Sequence, residues 1–154
     1  DYLGKPFEPM LVSGDRLRFT LRANATTGEA GSKAEGRRGR RFDVAMAALH
    51  EVPKGARAEK RDALAVEAGT AWLKRQGALR GFALPDDVPT AVTGYRVLRI
   101  PRGGGRSNVA TVGVFDFAGV LKVTEPDTFI EALAQGFGRG KAFGLGLMLI
   151  ARAA

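Results

Sequence analysis

Five glycines within eleven residues constrain this chain more than any other stretch: Gly136-Phe137-Gly138-Arg139-Gly140-Lys141-Ala142-Phe143-Gly144-Leu145-Gly146. Pro126 to Gln135 before it reads as a short helix, and Leu147-Met148-Leu149-Ile150 after it as a buried strand. Glycine takes positive φ without penalty and leaves its amides unobstructed. Consecutive amides beside Arg139 and Lys141 suit an anion or a phosphate chain. A Walker A loop does not fit, because Gln135 stands where its first glycine belongs and Ala142 replaces the hydroxyl residue. A Rossmann turn does not fit either, since Lys141 takes the third glycine position after Gly136 and Gly138, and the order is helix then strand. The other reading is a glycine-rich connection packed closely against a neighbour.

The 154 residues suffice for one domain with a real core. There are 21 glycines, about twice the usual share of roughly 7%. With 45% of residues apolar, they signal turns rather than disorder. The absence of cysteine excludes disulfides and thiolate metal sites and fits a reducing cytoplasm. No apolar run of membrane-spanning length occurs, so no membrane partner is expected. A net charge of +8 favours a polyanionic partner. The chain begins at Asp1 rather than Met, which suggests a missing upstream part.

Residues 1–13, with Pro6 and Pro9, read as an extended connector, and residues 14–154 as one domain. Leu17, Phe19, Leu21 and Ala23 alternate with Arg16, Arg18, Thr20 and Arg22, which predicts a strand with one apolar and one basic face. Three arginines on one face repel, so phosphates or carboxylates should lie nearby. Residues 25–41 read as a mobile polar loop, and its arginines Arg37, Arg38, Arg40 and Arg41, spaced by glycine, suit phosphate contact. Phe42, Met46 and Leu49 predict a helix closed by Pro53. Leu64, Ala68, Ala71 and Trp72 predict a longer one over 57–76, stopped by Gly77.

Tyr95 to Ile100 and Val109 to Phe117 read as strands. Between them Gly103-Gly104-Gly105 forms a hairpin tip carrying Arg99, Arg102 and Arg106. Ala118-Gly119 predicts a second hairpin into Val120–Val123. Thr124 or Glu125 should cap the last helix, with Pro126 at its first position and Gly136 at its end. The order is β, α in two pieces, β, β, α, β. It predicts an α+β, ferredoxin-like (RRM-like) βαββαβ domain with an added hairpin, with 17–23 beside 109–117. Phe115, Phe117 and Trp72 read as core rather than base-stacking platforms. His50 is the only histidine and reads as a surface residue. No spacing suits a metal.

The segment Gly136 to Leu147 resembles the C-terminal glycine-rich signature of the repeat-associated RNA-binding superfamily of CRISPR systems. Within it, the segment resembles the CasE family, the type I-E repeat endoribonuclease of the Cascade complex. A second block agrees: Lys5-Pro6-Phe7, Gly14-Asp15-Arg16-Leu17-Arg18-Phe19 and Leu21-Arg22-Ala23-Asn24. Gly39-Arg40-Arg41 matches a Gly-Lys-Arg run of the family, with Arg for Lys. The resemblance covers nearly all of this chain but only the second half of the family.

It implies binding of the CRISPR RNA repeat hairpin by Arg37, Arg38, Arg40, Arg41, Arg99, Arg102, Arg106, Arg139 and Lys141. It also implies assembly with other Cascade subunits, especially the one that coats the CRISPR RNA, in the cytoplasm, with no cofactor, metal or small-molecule ligand. The family reaction is metal-independent attack of a ribose 2′-OH on the adjacent phosphate. Its catalytic Tyr and His lie in an N-terminal domain without a match here, so no catalytic residue is expected in this chain; the resemblance thus implies that residues 1–13 are a linker from that missing domain and 14–154 the RNA-binding domain. An RNA-binding module of another family and a protein scaffold with an acidic partner remain alternatives.

Overall fold

Strand β1, Arg16–Ala23, buries Leu17, Phe19, Leu21 and Ala23 and turns Arg16, Arg18, Thr20 and Arg22 outward, the period-two pattern of a sheet covered on one face. The computed structural model of the chain describes residues 4, 6–29, 34, 36, 38–101 and 109–153. Strands β2, Thr26–Glu29, and β3, Arg40–Asp43, pair as a separate antiparallel ribbon. Helix α1, Val44–His50, follows at once; Asp43 caps it by accepting the amides of Ala45 (2.9 Å) and Met46 (3.0 Å). A single 3₁₀ turn, Lys54–Ala56, leads into α2, Arg57–Arg80. Then come β4, Phe82–Ala83; β5, Ala91–Pro101; β6, Val109–Val123; α3, Pro126–Gln135; and β7, Met148–Arg152.

The main sheet is antiparallel throughout and built around β6. It pairs with β1 along one edge and with β4 and β5 along the other, while β7 adds to the far side of β1. The expected adjacency of 17–23 and 109–117 is present, with Leu21 opposite Phe117 and Ala23 opposite Phe115. α2 and α3 cover the apolar face. Trp72 stacks on Phe117 at 5.8 Å between centroids, and Phe129 packs on Phe82 at 5.5 Å. These rings and Phe115 are fully buried or nearly so, as core residues should be.

Several boundaries differ from the sequence expectation. Residues 25–41 are not all loop, since β2 and the start of β3 lie there. Phe42 belongs to β3 and is exposed, because the cap at Asp43 starts the helix after it. α2 passes through Gly77 and ends at Gly81, whose φ is +79°. A Cβ on Gly77 would stand 2.5 Å from the Phe82 carbonyl oxygen, so Gly77 permits close packing and does not stop the helix. The buried stripe is accordingly Ala65, Gly69, Trp72, Leu73 and Gly77, and Ala71 is exposed. β6 runs straight through Ala118 and Gly119 with no second hairpin; Gly119 sits opposite Phe19, where a Cβ would come 3.1 Å from the Thr90 Cα. The last helix has the expected bounds, with Pro126 opening it and Gly136 closing it at φ +75°, but Glu125 at its N-cap position makes no side-chain capping bond.

Candidate nucleic-acid interface

The glycine-rich loop begins where α3 stops. Gly136, Gly138, Gly140, Gly144 and Gly146 all have positive φ, between 73° and 96°. At Gly138 a Cβ would also lie 2.6 Å from the Asn24 carbonyl oxygen, so that position needs glycine twice over. The loop closes on itself and on β1. Phe137 N–H donates to Gly146 O (2.8 Å), Gly146 N–H to Arg22 O (2.7 Å) and Arg139 N–H to Asn24 O (3.2 Å). Phe137 is fully buried under the Arg80 guanidinium, 5.5 Å from its ring centre.

The amides of Phe143, Gly144 and Leu145 are also taken by carbonyls within the loop. Most of the loop's amides are thus committed to the protein, and the loop packs closely at Phe137 and Gly138. Among the described residues no backbone carbonyl takes the consecutive amides of Gly140, Lys141 and Ala142. The side chains of Arg139 and Lys141, both exposed, lie beside them at the 3₁₀ turn Lys141–Phe143.

A second cationic segment is the β2–β3 ribbon. Arg40 and Arg41 lie on β3 opposite Glu29 and Gly28, with Arg38 just before it, and all three arginines are exposed. Arg99 on β5 is the third. Tyr95, Val97 and Arg99 stand opposite Phe115, Gly113 and Thr111, so Arg99 shares Tyr95's face of the sheet, about 13 Å farther along. Arg37, Arg102 and Arg106, with the Gly103–Gly105 tip, lie outside the described residues.

Two of the three outer arginines of β1, Arg16 and Arg22, meet carboxylates, which relieves their mutual repulsion. Arg16 makes a two-pronged pair with Asp87 (2.8 and 3.0 Å), which holds the Asp87 carboxyl below its ordinary value. Arg22 Nε–H donates to Asp116 at 2.6 Å, and Arg96 approaches the same carboxylate at 3.7 Å. Arg18 has no ion-pair partner among the described residues.

Sequence reasoning overlooked a buried polar cluster between the three cationic segments. The Asn24 amide donates to Gly113 O at 2.7 Å, and Asn24 is the one buried polar residue among those described. Tyr95 donates its hydroxyl to Asp43 Oδ1 at 3.0 Å, under the Arg61 guanidinium. Burial raises the Asp43 carboxyl above its ordinary value, against hydrogen bonds from Met46, Tyr95 and Ala45. The Tyr95 phenol is raised too, by burial first and then by the Asp43 charge. Asp43 carried a readable signal, a cap residue directly before Val44-Ala45-Met46.

His50 is exposed at the end of α1, with its Nδ1 3.9 Å from the Glu51 carboxylate and its carbonyl accepting from Arg57 at 3.2 Å. Among the described residues no group of His, Asp or Glu is placed to hold a metal, and no helix is long and apolar enough to cross a membrane.

The α+β domain thus carries exposed arginines and a lysine on three segments, which concentrates positive potential there. A family model described as "CRISPR associated protein" matches residues 3–152, and the chain belongs to that family. The CRISPR-associated endoribonuclease Cse3 of Thermus thermophilus is 35% identical over 153 residues, covering 96% of this chain and 61% of the relative. A structure of Cse3 bound to a 19-nucleotide RNA matches with a TM-score of 0.65 at 30% identity, over 96% of this chain and 60% of that one. Cas6e from Escherichia coli shares the fold, with a TM-score of 0.54 at 20% identity over 97% of this chain and 66% of that one. The family resemblance read from the sequence is thereby borne out, and the chain spans about three-fifths of the curated relative's length.

Proposed function

We propose that this chain supplies the repeat-RNA-binding part of a metal-independent CRISPR endoribonuclease, one that processes precursor CRISPR RNA and stays in a Cascade-type complex. The observation that carries this reading is the gathering of Arg38, Arg40, Arg41, Arg99, Arg139 and Lys141, all exposed, around the Asn24 end of β1. Arg37, Arg102 and Arg106 extend the same segments in sequence. The relative whose structure contains RNA, Cse3, supports the same reading.

The domain is ferredoxin-like in this reading. Its support is the strand order β5-β6-β1-β7, with α2 between β1 and β5 and α3 between β6 and β7. Such a sheet often binds RNA by stacking bases on exposed aromatics. Here Phe115 and Phe117 are buried, so the cations carry the contact, as suits a folded stem-loop. Residues 1–13 link this domain to a catalytic one, and the partners are the repeat hairpin and the other complex subunits, the RNA-coating one first among them.

Cleavage by 2′-OH attack needs a base at the nucleophile, an acid at the leaving oxygen and charge relief at the phosphate. The chain's cations serve only the third. The test is a binding titration of a CRISPR repeat stem-loop against stem-loops of unrelated sequence and an unstructured RNA of equal length. Preference for the repeat stem-loop, without cleavage, is expected. Equal affinity for arbitrary stem-loops would favour a general RNA-binding module, and RNase-insensitive association with an acidic protein would favour a scaffold.

A further inference from the structure

The Asn24–Asp43–Tyr95 cluster joins elements that have no ladder in common. Asn24 stands at the end of β1. Its side chain reaches β6 through Gly113 O, and its carbonyl receives the Arg139 amide of the glycine-rich loop. Asp43 ends β3 and caps α1, and through the Tyr95 hydroxyl it reaches β5. Its other oxygen, Oδ2, is buried without a hydrogen-bond partner and lies against Gly113, where a Cβ would overlap it. Gly113 is therefore the meeting point, with the Asn24 amide on its carbonyl and the Asp43 carboxylate on its Cα.

A buried carboxylate oxygen left without a donor is costly. A solvent-facing cap would hold the helix equally well without that cost. The placement makes sense if the bond that matters is the one across to Tyr95.

We propose that Asn24, Asp43 and Tyr95 are positioning residues that lock the β2–β3 ribbon, the β5–β6 pair and the glycine-rich loop at fixed mutual spacing, so that Arg40 and Arg41, Arg99, and Arg139 meet one RNA stem together. The inference rests on the RNA-binding reading and assigns none of the three side chains an RNA contact. Phosphates on a stem are regularly spaced, and cations on three independently moving segments would each lose ordering entropy on binding. Cations held in advance bind as a set.

The chain has no cysteine, so introduced ones label cleanly. Spin labels at Thr27→Cys on the ribbon and Thr111→Cys on β6 report their separation, both sites being exposed. In otherwise wild-type protein the distance distribution is narrow. Tyr95→Phe, which deletes one hydrogen bond, and Asp43→Ala, which deletes its acceptor, widen it at least twofold. Phe129→Leu in the distant core, measured equally far below its own melting temperature, leaves it unchanged.

With a repeat stem-loop RNA, the double substitution Arg40→Ala with Arg41→Ala weakens otherwise wild-type protein roughly tenfold or more at low salt. In the Tyr95→Phe background it weakens binding less than threefold, since a misplaced ribbon has already lost that contribution. Unchanged distances and additive losses would overturn the inference. If the chain binds no RNA at all, the functional reading fails and the distance distributions alone decide the positioning role. Should Asp43→Ala not fold, Tyr95→Phe carries the test.

Discussion

Arg22 on β1 and Asp116 on β6 sit directly opposite each other, and the Arg22 Nε–H donates to the Asp116 carboxylate over 2.6 Å. The pair raises the Arg22 guanidinium further above its already high value, and Asp116 also holds Arg96. A cation so engaged offers little net charge to a phosphate. Arg22→Ala is therefore expected to leave the salt dependence of RNA binding almost unchanged, whereas Arg139→Ala lowers the log–log slope by roughly one. Titrations at four salt concentrations decide it; equal slope losses would put the outer sheet face in contact with RNA.

The three cationic segments should act as one electrostatic set. Replacing Arg40, Arg41 and Arg99 together by Ala is expected to reduce the slope by about three and to cost most at low salt, where counterion release drives binding hardest. An unchanged slope in filter-binding assays would remove these arginines from the interface.

The loop glycines separate two kinds of constraint. Gly144 has φ +76° but open space around it, so Gly144→Ala should cost only the left-handed penalty, about 1–2 kcal/mol. Gly138→Ala adds a collision with the Asn24 carbonyl and should cost more, about 3 kcal/mol. Lys141→Ala should stay within about 0.5 kcal/mol of wild type while weakening RNA binding. Urea midpoints give all three, and equal costs for the two glycines would contradict the packing seen at Gly138.

Asp43 predicts a pH effect of definite sign. The unfolded chain ionises it near the ordinary carboxylate value, and the folded chain does so only at higher pH because the group is buried. Its stabilising contribution is thus full below about pH 4 and is lost as pH rises through the folded value. Asp87, held low by Arg16, works oppositely, losing its contribution as pH falls. Only the difference between wild type and Asp43→Asn isolates the buried group. That difference in unfolding free energy should shift against wild type as pH rises from the ordinary carboxylate value through the higher folded one; a flat difference would refute the burial argument.

The 154 residues alone should bind a repeat stem-loop and leave it intact, with or without chelator. His50 is exposed, with the Glu51 carboxylate 3.9 Å from its ring, so His50→Ala should change nothing. Cutting by this chain that disappears in His50→Ala would make His50 the catalytic base.

Local pattern made much of this fold legible. The alternation from Arg16 to Ala23 gave β1 its faces, and Pro126 and Gly136 marked both ends of α3. Gly77 misled because a glycine that ends a helix and one that lets a neighbour approach look alike until Phe82 is in place. The cations were visible as Arg and Lys beside glycine, but their common origin at Asn24 was not. Tyr95 and Asp43 are 52 residues apart, and no spacing rule reaches that far.

The central place of β6 also sets the order of assembly. Its pairing with β5 is a neighbouring hairpin, but Arg16 on β1 must find Lys122 across about a hundred residues, with a closure entropy that grows slowly with loop length. Refolding should therefore begin with β5 and β6 zipping together and wait on the late arrival of β1, followed by β7 on its far edge. A nascent chain leaving the ribosome holds β1 unpaired until most of the domain has been made, with Leu17, Phe19 and Leu21 open to chaperones throughout that interval.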